Sequence, residues 1–95
     1  MIGVVATFKI QDGKGPEFEA LFADLSAKVR ANEPGALMYQ LTKSRAEPDT
    51  YKVLELYKDD EAVKLHGGTE YFKAAFGEMR QCLAGRPEVE YLDGV

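Results

Sequence analysis

The chain has 95 residues, the size of one domain, and its 45% hydrophobic and 29% charged residues are typical of a folded globular protein. A net charge of −4 with scattered basic residues argues against nucleic acid and anionic membranes as partners. No apolar run reaches the roughly 18 residues of a membrane span, no signal peptide follows Met1, and the lone Cys82 excludes an intramolecular disulfide. These features predict one domain over residues 1–95, located in the cytoplasm.

The first third of the chain predicts a strand, a helix and a turn. The strand is MIGVVATFKI, and because both of its faces are largely apolar we expect both to be covered. Pro16 suits the first position of a helix, whose apolar residues recur at spacings of three and four: Phe18, Leu21, Phe22, Leu25 and Val29. Pro34 and Gly35 then fit the centre of a type II turn, in which the glycine has a positive φ.

Two alternating segments, ALMYQLTK and YKVLELYK, predict an antiparallel hairpin. Alternation places three residues of the first strand on one face: Leu37, Tyr39 and Leu41. It does the same for four residues of the second: Tyr51, Val53, Glu55 and Tyr57. Glu55 is unusual, since a carboxylate on an apolar face needs a partner or a place at the rim. It would hold a salt bridge, or in a pocket it would orient or supply a base.

The following segment predicts two helices. The first is the short DDEAVKLH, and the second begins after the glycines. We expect Gly67 and Gly68 to end the first helix in left-handed geometry and Thr69 to cap the second. The second helix has one apolar face: Phe72, Ala75, Phe76, Met79 and Leu83. A last strand, EVEYLD, completes the order β-α-β-β-α-β, in which the second helical segment is broken at the glycines. This order is a ferredoxin-like α+β fold with an antiparallel sheet.

Several short motifs also occur in a fixed order. They are Glu33-Pro34-Gly35, Tyr39, Glu55-Leu56-Tyr57, Asp59 with Ala62 and His66, and Thr69 with Phe72. Together they resemble the antibiotic biosynthesis monooxygenase (ABM) family over nearly the whole domain. The resemblance implies a homodimeric α+β barrel with two sheets packed face to face. It also implies oxygenation of small phenolic, quinol or anthrone-like substrates with no metal, flavin or haem cofactor.

The haem-degrading branch of that family resembles this chain poorly. That branch uses an asparagine on the first strand, a tryptophan on a helix and an iron-ligating histidine on the last helix. This chain has Ala6 or Thr7, His66 and Phe76 at those positions, and it contains no tryptophan. Haem degradation is therefore not expected.

Cofactor-free oxygenation requires a substrate made electron-rich by deprotonation, and a dry pocket in which that happens. His66, the only histidine, is the candidate catalytic base, because imidazole titrates near ~6.5. Its alternative role is a structural histidine at a helix end. The candidate substrate-binding residues are Tyr39, Glu55, Tyr57 and Phe72, and plain core packing is the alternative for the three aromatic residues.

The sequence therefore predicts a homodimeric monooxygenase that uses molecular oxygen on a small aromatic substrate, with His66 assisting deprotonation. Two alternatives stay open. One is an isomerase acting on a small enolisable substrate, which needs the same base but no oxygen. The other is a non-catalytic dimer that binds a small ligand.

Overall fold

The computed structural model describes all 95 residues and has the predicted order of elements. The strands are β1 (Ile2–Lys9), β2 (Ala36–Lys43), β3 (Thr50–Tyr57) and β4 (Glu88–Asp93). The helices are α1 (Gly15–Asn32), α2 (Asp60–Gly68) and α3 (Glu70–Met79), followed by a 3-10 turn at Arg80–Cys82. The four strands form one antiparallel sheet in the order β2-β3-β1-β4, which is the ferredoxin-like α+β arrangement.

Helix α1 packs its apolar stripe on the sheet, as its spacing predicts. Pro16 lies in its first turn, and the buried side chains include Phe18, Phe22, Leu25 and Val29. The ring of Phe18 lies 5.5 Å from that of Phe8 and 5.2 Å from that of Tyr51. Burial of each such side chain contributes about 1.5–3 kcal/mol, so this helix anchors the helical layer on the sheet.

Within one chain the helices cover one face of the sheet, and cover on the other face of β1 stays a prediction. Val4, Ala6 and Phe8 are buried, whereas Val5 and Thr7 on the opposite face are partly exposed. The helices all pack on the face that carries Val4, Ala6 and Phe8, here called the inner face. The other, here called the outer face, carries five large apolar side chains and is open in the single chain: Val5, Met38, Leu54, Leu56 and Leu92.

The turn after α1 is not of type II, because Gly35 does not have a positive φ. The Ala36 N–H donates to the Glu33 carbonyl at 3.0 Å and closes the turn. Glycine is required for another reason: a Cβ at position 35 would lie 2.7 Å from the Ala62 Cβ. Gly35 thus allows the turn to approach α2 closely.

Helix α2 does not end by left-handed glycine geometry. Gly67 and Gly68 both lie within the helix, and neither has a positive φ. The helix ends at Thr69, whose backbone is extended (φ −72°, ψ 146°). The Thr69 hydroxyl donates to the His66 carbonyl at 3.0 Å and accepts from the Phe72 N–H at 3.2 Å, so this residue caps α3 as predicted.

Two apolar residues lie elsewhere than their periodicity predicts. A bulge in β2 makes Leu37 an extra, exposed residue, and Ala36 instead pairs with Tyr57. Helix α3 ends at Met79, so Leu83 lies beyond it and forms a bridge with Ile10. None of the helices is long and apolar enough to span a membrane.

Candidate active site

A cavity of about 190 Å³ lies between the inner face of the sheet and the helices. Thirteen of its sixteen lining residues are hydrophobic. The structure brings all five residues singled out from the sequence to this wall: His66, Tyr39, Glu55, Tyr57 and Phe72. The cavity therefore combines an apolar, aromatic lining with a small number of ionisable groups, which is the usual composition of a small-molecule site.

Helix α2 delivers His66 to the cavity. The Asp59 carboxylate accepts the Ala62 N–H at 2.9 Å and fixes the start of the helix. Ala62 and His66 lie four residues apart, share one helix face and are both buried. Three aromatic rings surround the imidazole, with centroids at 4.7 Å for Phe72, 4.9 Å for Tyr39 and 5.6 Å for Tyr57.

The Glu33 side chain holds one edge of the imidazole. His66 Nδ1 lies 3.0 Å from Glu33 Oε1 and 3.3 Å from Oε2, and the Tyr71 hydroxyl donates to the same carboxylate. Because a carboxylate only accepts, Nδ1 carries the proton in this pair. Nε2 makes no hydrogen bond within the protein and is not sealed from solvent. The neutral ring thus presents its lone pair on the free edge.

Burial sets the protonation state of His66. The exposed fraction of this residue is only 6%, and this desolvation lowers the pKa of the imidazole below its usual range. The charge and hydrogen bond of Glu33 act in the opposite direction but do not cancel the effect. The ring is therefore neutral near pH 7 and competent to accept a proton.

A second pair, Glu55 and Tyr57, lies on β3. The Tyr57 hydroxyl donates to Glu55 Oε1 at 2.5 Å. Burial raises the pKa of Glu55 to about 7, although the Tyr57 hydrogen bond lowers it and the Glu33 charge raises it. Burial, together with the Glu55 charge, also raises the pKa of Tyr57. Glu55 is therefore partly protonated near neutral pH.

The remaining walls are aromatic. Tyr39 stacks on Phe22 with ring centroids 5.1 Å apart, and its hydroxyl makes no hydrogen bond within the protein. Phe72 packs against Phe76 at 5.8 Å. On the side of β4 the lining residues Val89 and Tyr91 are exposed by 50% and 65%, so the cavity opens there.

The sequence did not indicate that the side chains of Glu33 and Tyr71 belong to this site. Glu33 stood in the Glu33-Pro34-Gly35 motif only as part of a turn, although it is 3% exposed and a buried carboxylate requires a partner. The one available signal was that the single histidine of the chain needs a group to orient it. No cluster of three or more His, Cys, Asp or Glu side chains is arranged to hold a metal ion.

Comparison with known proteins finds relatives that match nearly the whole chain. The chain is 30% identical over 89 residues to Putative monooxygenase YcnE of Bacillus subtilis, covering 94% of this chain and 93% of that protein. It is 61% identical to a putative antibiotic biosynthesis monooxygenase of Caulobacter crescentus, with a TM-score of 0.97 over 99% of this chain and 89% of that one. A conserved protein of Methanosarcina mazei is 26% identical, with a TM-score of 0.90 over 96% and 89% of the two chains.

The sequence profile of one family matches residues 1–78, which is most of the chain. That family is described as antibiotic biosynthesis monooxygenase. The matched residues include the turn after α1, β3 and α2. The chain therefore belongs to the antibiotic biosynthesis monooxygenase family.

Proposed function

We propose that this protein is a monooxygenase that acts without a cofactor on a small phenolic or quinol substrate, with His66 as the catalytic base. One observation carries the proposal. A buried imidazole is held at Nδ1 by Glu33, and His66 lines a cavity whose walls are mostly apolar. The same arrangement of carboxylate, imidazole and free Nε2 makes histidine a general base in many enzymes.

The reaction begins with a proton transfer. His66 Nε2 takes the hydroxyl proton of the substrate, and Glu33 stabilises the imidazolium that forms. The resulting phenolate gives one electron to O₂, and the two radicals combine to a peroxide anion on a ring carbon. The imidazolium returns its proton to this anion, which becomes a hydroperoxide. Loss of water then leaves one oxygen atom in the product, so a quinol and O₂ yield a hydroxyquinone and H₂O. The apolar wall keeps solvent from the intermediates.

The substrate-binding residues supply shape and hydrogen bonds. The Tyr39 hydroxyl and the Glu55–Tyr57 pair face the cavity as polar groups, and Phe72 offers an aromatic face for stacking. An apolar cavity of about 150 Å³ is large enough for benzene. A cavity of about 190 Å³ therefore suits a quinol of one ring with small substituents, and a three-ring anthrone would extend through the opening beside β4.

The proposal includes a homodimer formed through the outer face. In the strand register Val5 lies beside Leu54, and Leu56 lies between Met38 and Gly3. The apolar side chains thus form one continuous surface, of which Met38 and Leu92 are 48% and 45% exposed. A second copy of the chain offers the same surface, which is how a two-fold interface is built. Single-domain organisation and a cytoplasmic location stay predictions from the sequence.

Labelling with ¹⁸O₂ tests the proposed reaction. The purified protein is incubated with a panel of small quinols, and autoxidation without protein is subtracted. We expect product that gains one labelled atom, with the second atom in water. Absence of any protein-dependent oxygen uptake by the folded protein would refute the monooxygenase. Protein-dependent conversion of an enolisable substrate without oxygen would point to the isomerase instead.

A further inference from the structure

Glu55 is the only carboxylate among the residues that line the cavity. We propose that Glu55 is a second catalytic residue, a general acid that protonates the departing oxygen when the O–O bond of the substrate hydroperoxide breaks. The inference rests on the proposed monooxygenase function, because it assigns a residue to a later step of that reaction. It goes beyond the roles that the sequence indicates for this residue, which are substrate binding, a salt bridge, or orienting or supplying a base.

The position of Glu55 supports this role. It lies on β3, which has a neighbouring strand on each side, and it pairs with Val4 of β1 and Tyr39 of β2. One carboxyl oxygen, Oε1, accepts the Tyr57 hydroxyl at 2.5 Å. The other, Oε2, has no hydrogen-bond partner in the protein and is not sealed from solvent. A carboxyl group in this apolar lining costs free energy, and no salt bridge offsets that cost.

Burial and the Glu33 charge favour the protonated form of Glu55, whereas the Tyr57 hydrogen bond opposes it. Five titratable groups lie around this carboxyl group. They come from the neighbouring strands and helices: Tyr57, Tyr39, Glu33, His66 and Tyr91. No lysine or arginine lines the cavity, so no cation stabilises the carboxylate. Burial and the Glu33 charge raise the pKa of Glu55, while burial lowers the pKa of His66. Two groups whose pKa values are shifted in this way form an acid and a base in the same site near neutral pH.

The chemistry requires both partners. After O₂ has added, the ring carbon carries one hydrogen and an OOH group. His66, neutral again after its proton has passed to the peroxide, removes that hydrogen as a proton. The electron pair of the C–H bond forms the carbon–oxygen double bond, and the O–O bond breaks. Glu55 donates its proton to the outer oxygen, which leaves as water. Without the acid, the C–O bond breaks instead and releases H₂O₂, so the quinol becomes the simple quinone and not the hydroxyquinone.

Product partition under saturating O₂ tests the inference, with hydroxyquinone and H₂O₂ measured for wild type and Glu55→Gln. Glutamine keeps the size of the side chain but cannot transfer a proton. We expect Glu55→Gln to consume oxygen and to release mainly quinone and H₂O₂, with the ratio of hydroxyquinone to H₂O₂ lowered about a hundredfold. Glu55→Asp, which keeps the acid at shorter reach, should recover part of the ratio and also serves if the glutamine variant does not fold.

Glu19→Gln is the matched control, because Glu19 accepts the Tyr51 hydroxyl at 2.5 Å in a similar pair that does not line the cavity. It should leave the ratio at the wild-type value. An unchanged ratio in folded Glu55→Gln and Glu55→Asp, with oxygen uptake intact, would overturn the role of Glu55 and leave the proposed function standing. Absence of protein-dependent oxygen uptake by wild type would refute both the role of Glu55 and the proposed function.

Discussion

Glu33 and His66, 33 residues apart in the chain, meet with Oε1 and Nδ1 separated by 3.0 Å. The contact joins the end of α1 to the last turns of α2, and both side chains are almost completely buried. Tyr71 on α3 donates to the same carboxylate, so three helical segments converge on it. The carboxylate fixes which nitrogen of the imidazole carries the proton, and thereby which one is left to act as a base.

Glu33→Gln should lower the pKa of His66 further, because the Glu33 charge and hydrogen bond both raise it in the wild type. Turnover should fall by about 10²–10⁴-fold, since the imidazolium loses its stabilising partner. His66 is the only histidine, so an NMR titration reports its pKa as one resonance. Glu19→Gln is the control and should leave that resonance unchanged. A His66 pKa that is unaltered or higher in Glu33→Gln would contradict the orienting role.

Glu55 should make the protein less stable as pH rises. Its pKa is raised from 4.5 to about 7 on folding, so the native state holds this proton more tightly than the unfolded chain does. The stabilisation is present below the unfolded value of 4.5 and is lost as pH rises through about 7. The full change corresponds to about 3 kcal/mol in the free energy of unfolding.

Urea unfolding at about pH 5 and about pH 8 measures this effect. The free energy of unfolding of Glu55→Gln, relative to that of wild type, should be higher at about pH 8 than at about pH 5. The expected difference is up to about 3 kcal/mol. Taking the difference between variants removes the opposite contribution of His66, whose lowered pKa costs stability at acid pH. A difference between the two proteins that does not vary with pH would show that Glu55 titrates normally.

Gly35→Ala should destabilise the protein and disturb the site. The added Cβ would lie 2.7 Å from the Ala62 Cβ, and neither atom can rotate away. Separating the turn from α2 should cost about 1–3 kcal/mol and pull His66 from Glu33. Gly77→Ala is the control, because a Cβ there meets no atom within 4 Å and alanine favours the exposed helix. Equal urea midpoints for wild type and Gly35→Ala would show that the approach is not tight.

Leu54→Glu should dissociate the proposed dimer. Leu54 lies beside Val5 near the middle of the outer face and is 39% exposed, so a charge there would be buried between two sheets. Light scattering at micromolar concentration should give a dimer mass for wild type and a monomer mass for the variant. Leu65→Glu, on the exposed side of α2, should stay dimeric. A monomeric wild type would remove the dimer from the proposal.

The sequence predicted the positions of side chains correctly where the regular repeat of a strand or helix determines which face a residue occupies. The two-residue period of β3 placed Glu55 and Tyr57 on one face, and both line the cavity. The four-residue spacing of α2 put Ala62 and His66 together on the buried face. These residues could be chosen as candidates because strands and helices have fixed periods.

Features set by long-range packing could not be derived in the same way. Nothing near Glu33 in the sequence indicates that it meets His66, because the contact depends on how α1 and α2 sit on the sheet. The same packing, and not a turn type, explains Gly35. Thr69 ended α2 through its own hydrogen bonds, although Gly67 and Gly68 were the stronger local signals. The β2 bulge that displaces Leu37 could not be predicted, because the apolar and polar residues of this strand alternate in the sequence as they do in a regular strand.

Oxygen uptake by wild type and His66→Gln, measured side by side with a one-ring quinol, tests the central claim most directly. The glutamine amide can still donate to Glu33, so it keeps a hydrogen bond to this buried carboxylate that His66→Ala would remove, but it cannot act as a base. We expect wild-type uptake well above autoxidation and a loss of about 100-fold or more in the variant, with the fold retained. Equal uptake by the two folded proteins would contradict the account and make His66 a structural residue.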